Sequence, residues 1–134
     1  MSTTTPQFDS ISSTLRVIEQ PQARLSVMGK NATLNEFNVA AALDNLGIQY
    51  LFQVSFWGGR TVAGGQILDF LVWTPLKQGL QVFGNYWHEG LMSNEDRYKI
   101  TLLEEFLGQP VIVLWGEETS TFDDARQAIR NKVL

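Results

Sequence analysis

Apolar residues recur at helical spacing in three segments of the chain. In NATLNEFNVAAALDNLG, either Asn31 or Thr33 is a suitable N-cap, and Gly47 is a typical helix end. The segment 93–108, SNEDRYKITLLEEFLG, places a serine three residues before an aspartate, which is the spacing of a capping box, and it also ends in glycine. A third amphipathic segment covers residues 122–134. The pattern therefore predicts three helices.

Runs of β-branched and aromatic residues predict the strands. Three of them, at 48–57, 66–73 and 79–87, follow the first helix, separated by the loop GGRTVAGG and by a turn at Thr74-Pro75. We expect these three to form a meander. The run PVIVLW at 110–115 is typical of a strand buried on both faces, so we expect it at the centre of the sheet.

The resulting order of elements, α-β-β-β-α-β-α, predicts an α/β sandwich with a mixed sheet. Residues 1–26 are rich in Ser, Thr, Gln and Pro, and we expect them to form a polar N-terminal arm. Residues 27–134 have the length of a single domain. The apolar runs are too short to span a bilayer, so no membrane association is expected.

The composition limits the cellular location of the protein and the kinds of metal site that it can form. The chain has no cysteine, which excludes disulfides and thiolate metal sites. The segment MSTTTPQFDSISS lacks the basic and apolar stretches of a secretory signal, so we expect a cytoplasmic protein. A net charge of -4 argues against broad attraction to nucleic acid but is compatible with a local contact and with an acidic cation site.

Three acids stand where the pattern predicts apolar side chains. Glu36 heads the inward stripe of the first helix, and Asp96 heads that of the second. Asp69 interrupts the strand ILDFLVW, where alternation puts it on one face with Ile67 and Leu71. An ionised carboxylate in a core is costly unless it is paired or binds a metal.

Each polar residue also has a structural interpretation. Asp96 is suited to the capping box, and Glu36 to an exposed first turn that interacts with the helix dipole. A mid-strand acid such as Asp69 is harder to explain in this way. The single histidine, His88, ends the stretch VFGNYWH and, taken alone, is more often a packed or capping residue than a base. The functional hypothesis therefore depends on the whole set.

Together these side chains suit hydrolysis of a phosphodiester with a divalent metal. Magnesium takes oxygen ligands, polarises a phosphoryl group and supplies hydroxide. A neutral imidazole such as that of His88 accepts a proton at physiological pH. Zinc is disfavoured because the chain has one histidine and no cysteine. The predicted cofactor is Mg²⁺ or Mn²⁺.

In their order these motifs resemble the very-short-patch-repair (Vsr) branch of the PD-(D/E)XK nuclease superfamily, including the EDxHD homing endonuclease domains. The resemblance covers residues 31–118 and includes LGIQYLFQ, LDFLV, VFGNYWH, EDRYKITLLEEFLG and VIVLWGEE. It implies a restriction-endonuclease-like α-β-β-β-α-β-α core, with a central mixed β-sheet flanked by helices.

The resemblance also implies a role for each residue. Asp69 corresponds to the metal ligand, and Val82 to the residue whose backbone carbonyl completes the metal site. His88 corresponds to the general base, and Glu36 and Asp96 to acids that orient water or the imidazole. The chain departs from Vsr in having one histidine and no cysteine, so the zinc ligands and mismatch specificity of Vsr are not expected.

Two basic residues are candidate phosphate contacts. Arg60 lies in the glycine-rich loop before the Asp69 strand, where the backbone has room to approach DNA. A loop without a partner explains Arg60 equally well. Lys99 lies one helical turn after Asp96, and a surface ion pair is its favoured interpretation.

The favoured hypothesis is a Mg²⁺-dependent DNA endonuclease that reaches its substrate as a homodimer, through a DNA-targeting protein or through its N-terminal arm. The alternative is a catalytically silent nuclease-fold component of a phage or mobile-element complex, because fold does not imply function. A junction-specific nuclease is a weaker alternative, since the sequence shows no clear basic face. The enzyme hypothesis is favoured over a silent component because the sequence contains the whole polar set: Glu36, Asp69, His88 and Asp96.

Overall fold

The computed structural model describes residues 25–84 and 92–134. A short hairpin precedes the element order that the pattern predicted, α-β-β-β-α-β-α. The hairpin strands are β1 (Ser26–Val27) and β2 (Lys30–Asn31), and the remaining elements are α1 (Leu34–Asn45), β3 (Gln49–Phe56), β4 (Gln66–Trp73), β5 (Lys77–Phe83), α2 (Asn94–Leu107), β6 (Ile112–Trp115) and α3 (Phe122–Lys132). Most of the predicted arm lies outside the described residues, and the division at residue 26 stays a prediction.

Side-chain caps determine where the helices begin. The Thr33 hydroxyl accepts the Glu36 N–H at 3.1 Å, and the Glu36 carboxylate accepts the Thr33 N–H at 2.9 Å, which completes a capping box on α1. In α2, the Ser93 hydroxyl accepts the Asp96 N–H at 3.1 Å. Gly108 ends α2 in the left-handed conformation. The predicted helices are confirmed, with Thr33 as the first cap.

The four longer strands described form a mixed sheet in the order β3-β4-β5-β6. The first three are the predicted antiparallel meander, and β6 runs parallel to β5. One core cluster joins this sheet to α1 and α3, and a second joins it to α2. Within the described part of the chain, no helix combines the length and the apolar character needed to cross a bilayer.

The prediction of a central strand at 110–115 is wrong. In the described sheet β6 is an end strand that pairs with β5. Its outward backbone groups bond to side chains: Lys132 Nζ donates to the Val113 carbonyl at 3.1 Å, and the Trp115 N–H donates to Glu118 at 2.9 Å. The run is apolar because helices pack on both sides of it: Leu114 is fully buried in the core with α1 and α3, and Val111 is buried in the cluster with α2.

At the opposite end of the sheet, the hairpin attaches to β3. Lys30 Nζ donates to the carbonyls of Phe52 and Gln53 at 3.1 and 3.2 Å. The Gln53 side chain donates in return to the Asn31 carbonyl at 3.3 Å. A lysine side chain therefore bonds to backbone at each end of the described sheet.

In strands β3 and β4, the inward side chains switch from one face of the sheet to the other at one matched position. Phe52 and Phe70 pack in the core with α1 and α3, whereas Val54 and Leu68, each two residues away, pack with the α2 cluster. A regular strand keeps residues i and i+2 on one face. The ladder is unpaired at the intervening position, where Gln53 has a φ of +54°. The alternation of side chains between the two faces is therefore interrupted in both strands at the same position along the ladder.

Candidate active site

Asp69 lies at this break in β4. Its Oδ2 atom accepts the Val82 N–H at 2.7 Å, beyond the Phe70–Leu80 pair at which the β4–β5 ladder ends. The Asp69 N–H is directed at Gln81 Oε1, 3.4 Å away. The carboxylate therefore takes the place of a backbone partner between the two strands.

Glu36 brings a second carboxyl group to Asp69. The two side chains interact by a hydrogen bond, which requires a shared proton. Glu36 belongs to α1, whereas Leu71 packs on the other side of the sheet with α2. The prediction that Asp69 shares a face with Leu71 is therefore wrong, because the alternation of β4 is broken at Asp69. Glu36 also closes the α1 capping box, which is a structural role in the first turn of the helix. Its role in a catalytic site stays a prediction.

Burial raises the pKa of Asp69 to about 7, and the negative charge of Glu36 and its hydrogen bond add to the rise. The Val82 N–H and the positive charge of Arg60 act in the opposite direction and lower it. Asp69 is therefore only partly ionised at neutral pH. A divalent cation next to Asp69 would lower the pKa of this carboxyl, because the positive charge favours its ionised form.

The Val82 carbonyl lies on the same side of β5 as the Val82 N–H that bonds to Asp69. In an extended strand the N–H and C=O of one residue point to the same neighbour. Since the Val82 N–H points to Asp69, the carbonyl also points towards β4, in the region where the backbone ladder has ended. Asp69, Glu36 and this carbonyl offer oxygen atoms, which are the ligands that Mg²⁺ and Mn²⁺ take. The donor set therefore fits the predicted metals.

Arg60 is held near Asp69 by a closely packed loop. A short 3₁₀ turn at Gly59–Thr61 carries it, and its charge lowers the pKa of Asp69. The Gly65 backbone lies so close to Gly59 that a side-chain carbon at Gly65 would overlap the Gly59 carbonyl oxygen. The charge of Arg60 therefore acts on Asp69, and its contact with a phosphate stays a prediction.

Two cavities meet at Arg60. One, of about 500 Å³, is lined by Glu36, Thr33 and Gln53. The other, of about 260 Å³, lies against α2. We call it the glutamine cavity, and it is lined by Gln66, Gln81, Phe83, Asp96 and Lys99, together with Arg60 and neighbouring residues.

The two predicted acids of the helices are placed differently. Glu36 contacts Asp69, whereas Asp96 lines the glutamine cavity. Across residues 25–84 and 92–134, no group of three or more acidic or histidine side chains is arranged to hold a metal ion. Among these described residues, Asp96 therefore does not form one group with Glu36 and Asp69, because α2 packs on the other side of the sheet from α1.

Lys99 forms the surface pair that the sequence favoured. Its Nζ lies 3.5 Å from a carboxylate oxygen of Glu95, one turn earlier in α2. Both side chains are largely exposed, and such pairs contribute at most about 1 kcal/mol. The ion pair is therefore weak enough to exchange for another anion in the cavity that Lys99 lines.

His88 lies outside the described residues, together with the rest of the segment 85–91. Its role as a general base stays a prediction. The strand that leads to it, β5, ends at Phe83, next to the Val82 carbonyl. The chain therefore enters this segment directly from the candidate site.

Sequence reasoning missed Gln66 and Gln81. Gln66 opens β4 in a buried position, and Gln81 bonds to Asp69. The available signal was weak: Gln66 directly precedes the run ILDFLVW, and Gln81 lies between the apolar residues Leu80 and Val82.

Comparison of the chain with family models, curated proteins and solved structures gives no match. The similarity to Vsr nucleases stays a prediction from the motifs. The functional assignment therefore depends on the residues and geometry of the site.

Proposed function

We propose that the protein is a metal-dependent endonuclease that hydrolyses phosphodiester bonds in DNA, with a restriction-endonuclease-like core of the Vsr/EDxHD type. The observation that carries this proposal is the carboxyl pair of Asp69 and Glu36 at the break between β4 and β5. Bringing two acids together in a partly buried position costs stability. A divalent cation at this position would supply the missing positive charge.

Mg²⁺ or Mn²⁺ would be held by the Asp69 carboxylate and the Val82 carbonyl, with Glu36 beside them. When bound, such an ion polarises the phosphoryl group and lowers the pKa of a coordinated water molecule. The capping bond to the Thr33 N–H fixes one oxygen of Glu36. Once a bound ion replaces the hydrogen bond between Glu36 and Asp69, the other oxygen of Glu36 would be able to orient water at the site.

Arg60 is the proposed phosphate ligand. Its guanidinium lies close enough to Asp69 to lower the pKa of that carboxyl, so it is also close to any phosphate bound there. Arginine binds phosphate oxygens through a planar set of donors. His88 is proposed as the base that accepts the proton of the attacking water. Asp96 is proposed to act from the glutamine cavity, where it would orient water or the imidazole.

The choice of DNA over RNA follows from the resemblance to Vsr. With a net charge of -4, the chain has little general attraction for a nucleic acid. We therefore propose that it works in the cytoplasm as a homodimer or with a separate DNA-targeting protein, which would add the missing affinity.

The test is nicking of supercoiled plasmid in Mg²⁺ or Mn²⁺. We expect EDTA to abolish nicking, and Asp69→Asn and Glu36→Gln each to slow it by at least about a hundredfold. Glutamine at position 36 retains an oxygen for the capping bond to Thr33, so the fold is kept while the charge is removed. Asp123→Asn, which removes an exposed acid in the first turn of α3, is the matched control and should leave nicking unchanged.

Nicking that survives Asp69→Asn would overturn the mechanism. If the protein binds Mn²⁺ through Asp69 but cleaves neither supercoiled, branched nor mismatched DNA, the endonuclease proposal fails. The silent nuclease-fold component then becomes the better interpretation.

A further inference from the structure

The glutamine cavity contains a buried polar group that the described protein does not satisfy. Gln66 is only 7% exposed. Within residues 25–84 and 92–134, its side-chain amide makes no hydrogen bond, and it lines the cavity. An unsatisfied buried amide costs about 1–3 kcal/mol. Such a group points to a partner that enters the cavity.

Gln81 adds a second amide with a defined orientation. Its Oε1 faces the Asp69 N–H at 3.4 Å, which leaves the Nε2 donors for another partner. Gln81 also lines the cavity. The two glutamines together offer hydrogen-bond donors and an acceptor, and this combination recognises the edge of a nucleobase.

The walls of the cavity suit a flat ligand. Phe83 forms one wall, and its ring packs on Trp115 with a centroid separation of 5.8 Å and an angle of 31° between the planes. Gly59 and Gly65 line another part of the cavity, where they contribute backbone only. A volume of about 260 Å³ limits the occupant to a small group.

Charge distinguishes a nucleotide from other flat ligands. Arg60 and Lys99 both line the cavity, where they face the single acid Asp96. Cations beside an aromatic wall are typical of sites that bind a base and its phosphate. The cavity is joined to Asp69 through Gln81, which bonds to its backbone, and through Arg60, which acts on its carboxyl.

We propose that the glutamine cavity binds an unpaired nucleobase of a DNA strand and that the phosphate next to this base is presented to Asp69. A base inside an intact duplex cannot enter such a cavity, so the nucleotide is either unpaired or turned out of the helix. The cleavage of the adjacent phosphate rests on the proposed function, whereas the binding of the base does not. The substrate class is therefore DNA with an unpaired base.

Base binding is tested apart from cleavage by using the full chain carrying Asp69→Asn. Fluorescence anisotropy compares three fluorescein-labelled duplexes that differ at one position: an unpaired adenine, an abasic site, or a normal base pair. We expect the unpaired adenine to be bound about tenfold more tightly than the other two. Adenine is the probe because a glutamine amide matches the donor and acceptor on its edge.

Gln66→Leu, added to the same background, removes the amide while keeping a side chain of similar size. It should reduce the affinity for the unpaired adenine to that for the abasic site, with binding of the paired duplex changed by less than about twofold. Gln49→Leu is the matched control, because Gln49 also opens a strand, β3, but does not line this cavity. The control should keep the preference for adenine.

Equal binding of the three duplexes, or a preference that survives Gln66→Leu, would overturn the cavity assignment whether or not the wild-type protein nicks plasmid. Binding of free deoxyadenosine monophosphate without any difference among the duplexes would overturn the assignment to a DNA strand. A preference that is lost in Gln66→Leu supports the cavity assignment even if the wild type shows no nicking, in which case only the proposed function fails.

Discussion

Gln53 and Asp69 face each other at the internal position of the β3–β4 ladder that lacks a backbone pair. Regular pairing continues on both sides of them. The break lets the Asp69 carboxyl accept the Val82 N–H and meet Glu36. A local distortion of two neighbouring strands thus creates the candidate site.

Glycine at position 53 should stabilise the protein. Gln53 adopts a φ of +54°, which is unfavourable for a residue with a side chain. The change also removes the long, exposed bond from the Gln53 side chain to the Asn31 carbonyl, so we expect Gln53→Gly to raise the free energy of unfolding by at most about 0.5–1 kcal/mol. In contrast, Gln49→Gly, in the regular part of β3, should lower it by a similar amount, about 0.5–1 kcal/mol. Urea denaturation followed by tryptophan fluorescence measures both, and equal losses would show that the strain at Gln53 is negligible.

The stability of the metal-free protein should depend on the ionisation of Asp69. Folding raises the pKa of this carboxyl to about 7, from an ordinary value of about 4. The folded state therefore holds the proton more tightly, and the associated stability is complete below about pH 4 and lost as the pH rises through 7. We expect this loss to reach up to about 4 kcal/mol.

Asp69→Asn isolates that contribution, because an amide does not ionise. In EDTA, the free energy of unfolding of the wild type, relative to this variant, should fall between pH 4 and pH 7 and then level off. Chemical denaturation across this range measures the difference. A difference that stays constant with pH would contradict the raised pKa of Asp69.

Mg²⁺ or Mn²⁺ should stabilise the folded chain through the same carboxyl. A ligand at a hundred times its dissociation constant adds about 2.7 kcal/mol. The affinity should increase with pH through 7, because the metal competes with the proton on Asp69. Thermal denaturation should show the stabilisation in the wild type and in Asp123→Asn but not in Asp69→Asn. An equal shift in all three proteins would assign the metal to another site.

Gln66→Leu should leave the protein at least as stable as the wild type. The change replaces a buried amide that has no partner among the described residues with an apolar side chain of similar size. We expect a gain of about 1 kcal/mol in the free energy of unfolding. Urea denaturation in the absence of nucleic acid measures it. A loss of more than about 1 kcal/mol would mean that the amide has a partner within the folded chain.

The helices were predictable because their signals are local. Thr33, Ser93 and Gly108 each act within one turn of the helix that they begin or end. The position of β6 was not predictable in the same way. The apolar run 110–115 reflects how deeply its side chains are buried, but it does not reveal whether strands pair on both of its sides.

The site was predictable only in part. Glu36 and Asp69 were identified as misplaced acids, and the structure brings them together. Their meeting depends on a break in alternation that glutamine at position 53 does not signal, since the left-handed conformation is typical of glycine. Asp96 belongs to a similar inward stripe, but its helix packs on the other face of the sheet, so it reaches the glutamine cavity instead.

Lys30 and Lys132 have a consequence for association between molecules. A foreign strand that tried to lengthen the sheet would displace an ammonium group from a main-chain carbonyl on either flank. Positive charge of this kind protects natural sheets against fibril growth and unwanted strand exchange. We therefore expect a homodimer of this chain to form through helices or loops.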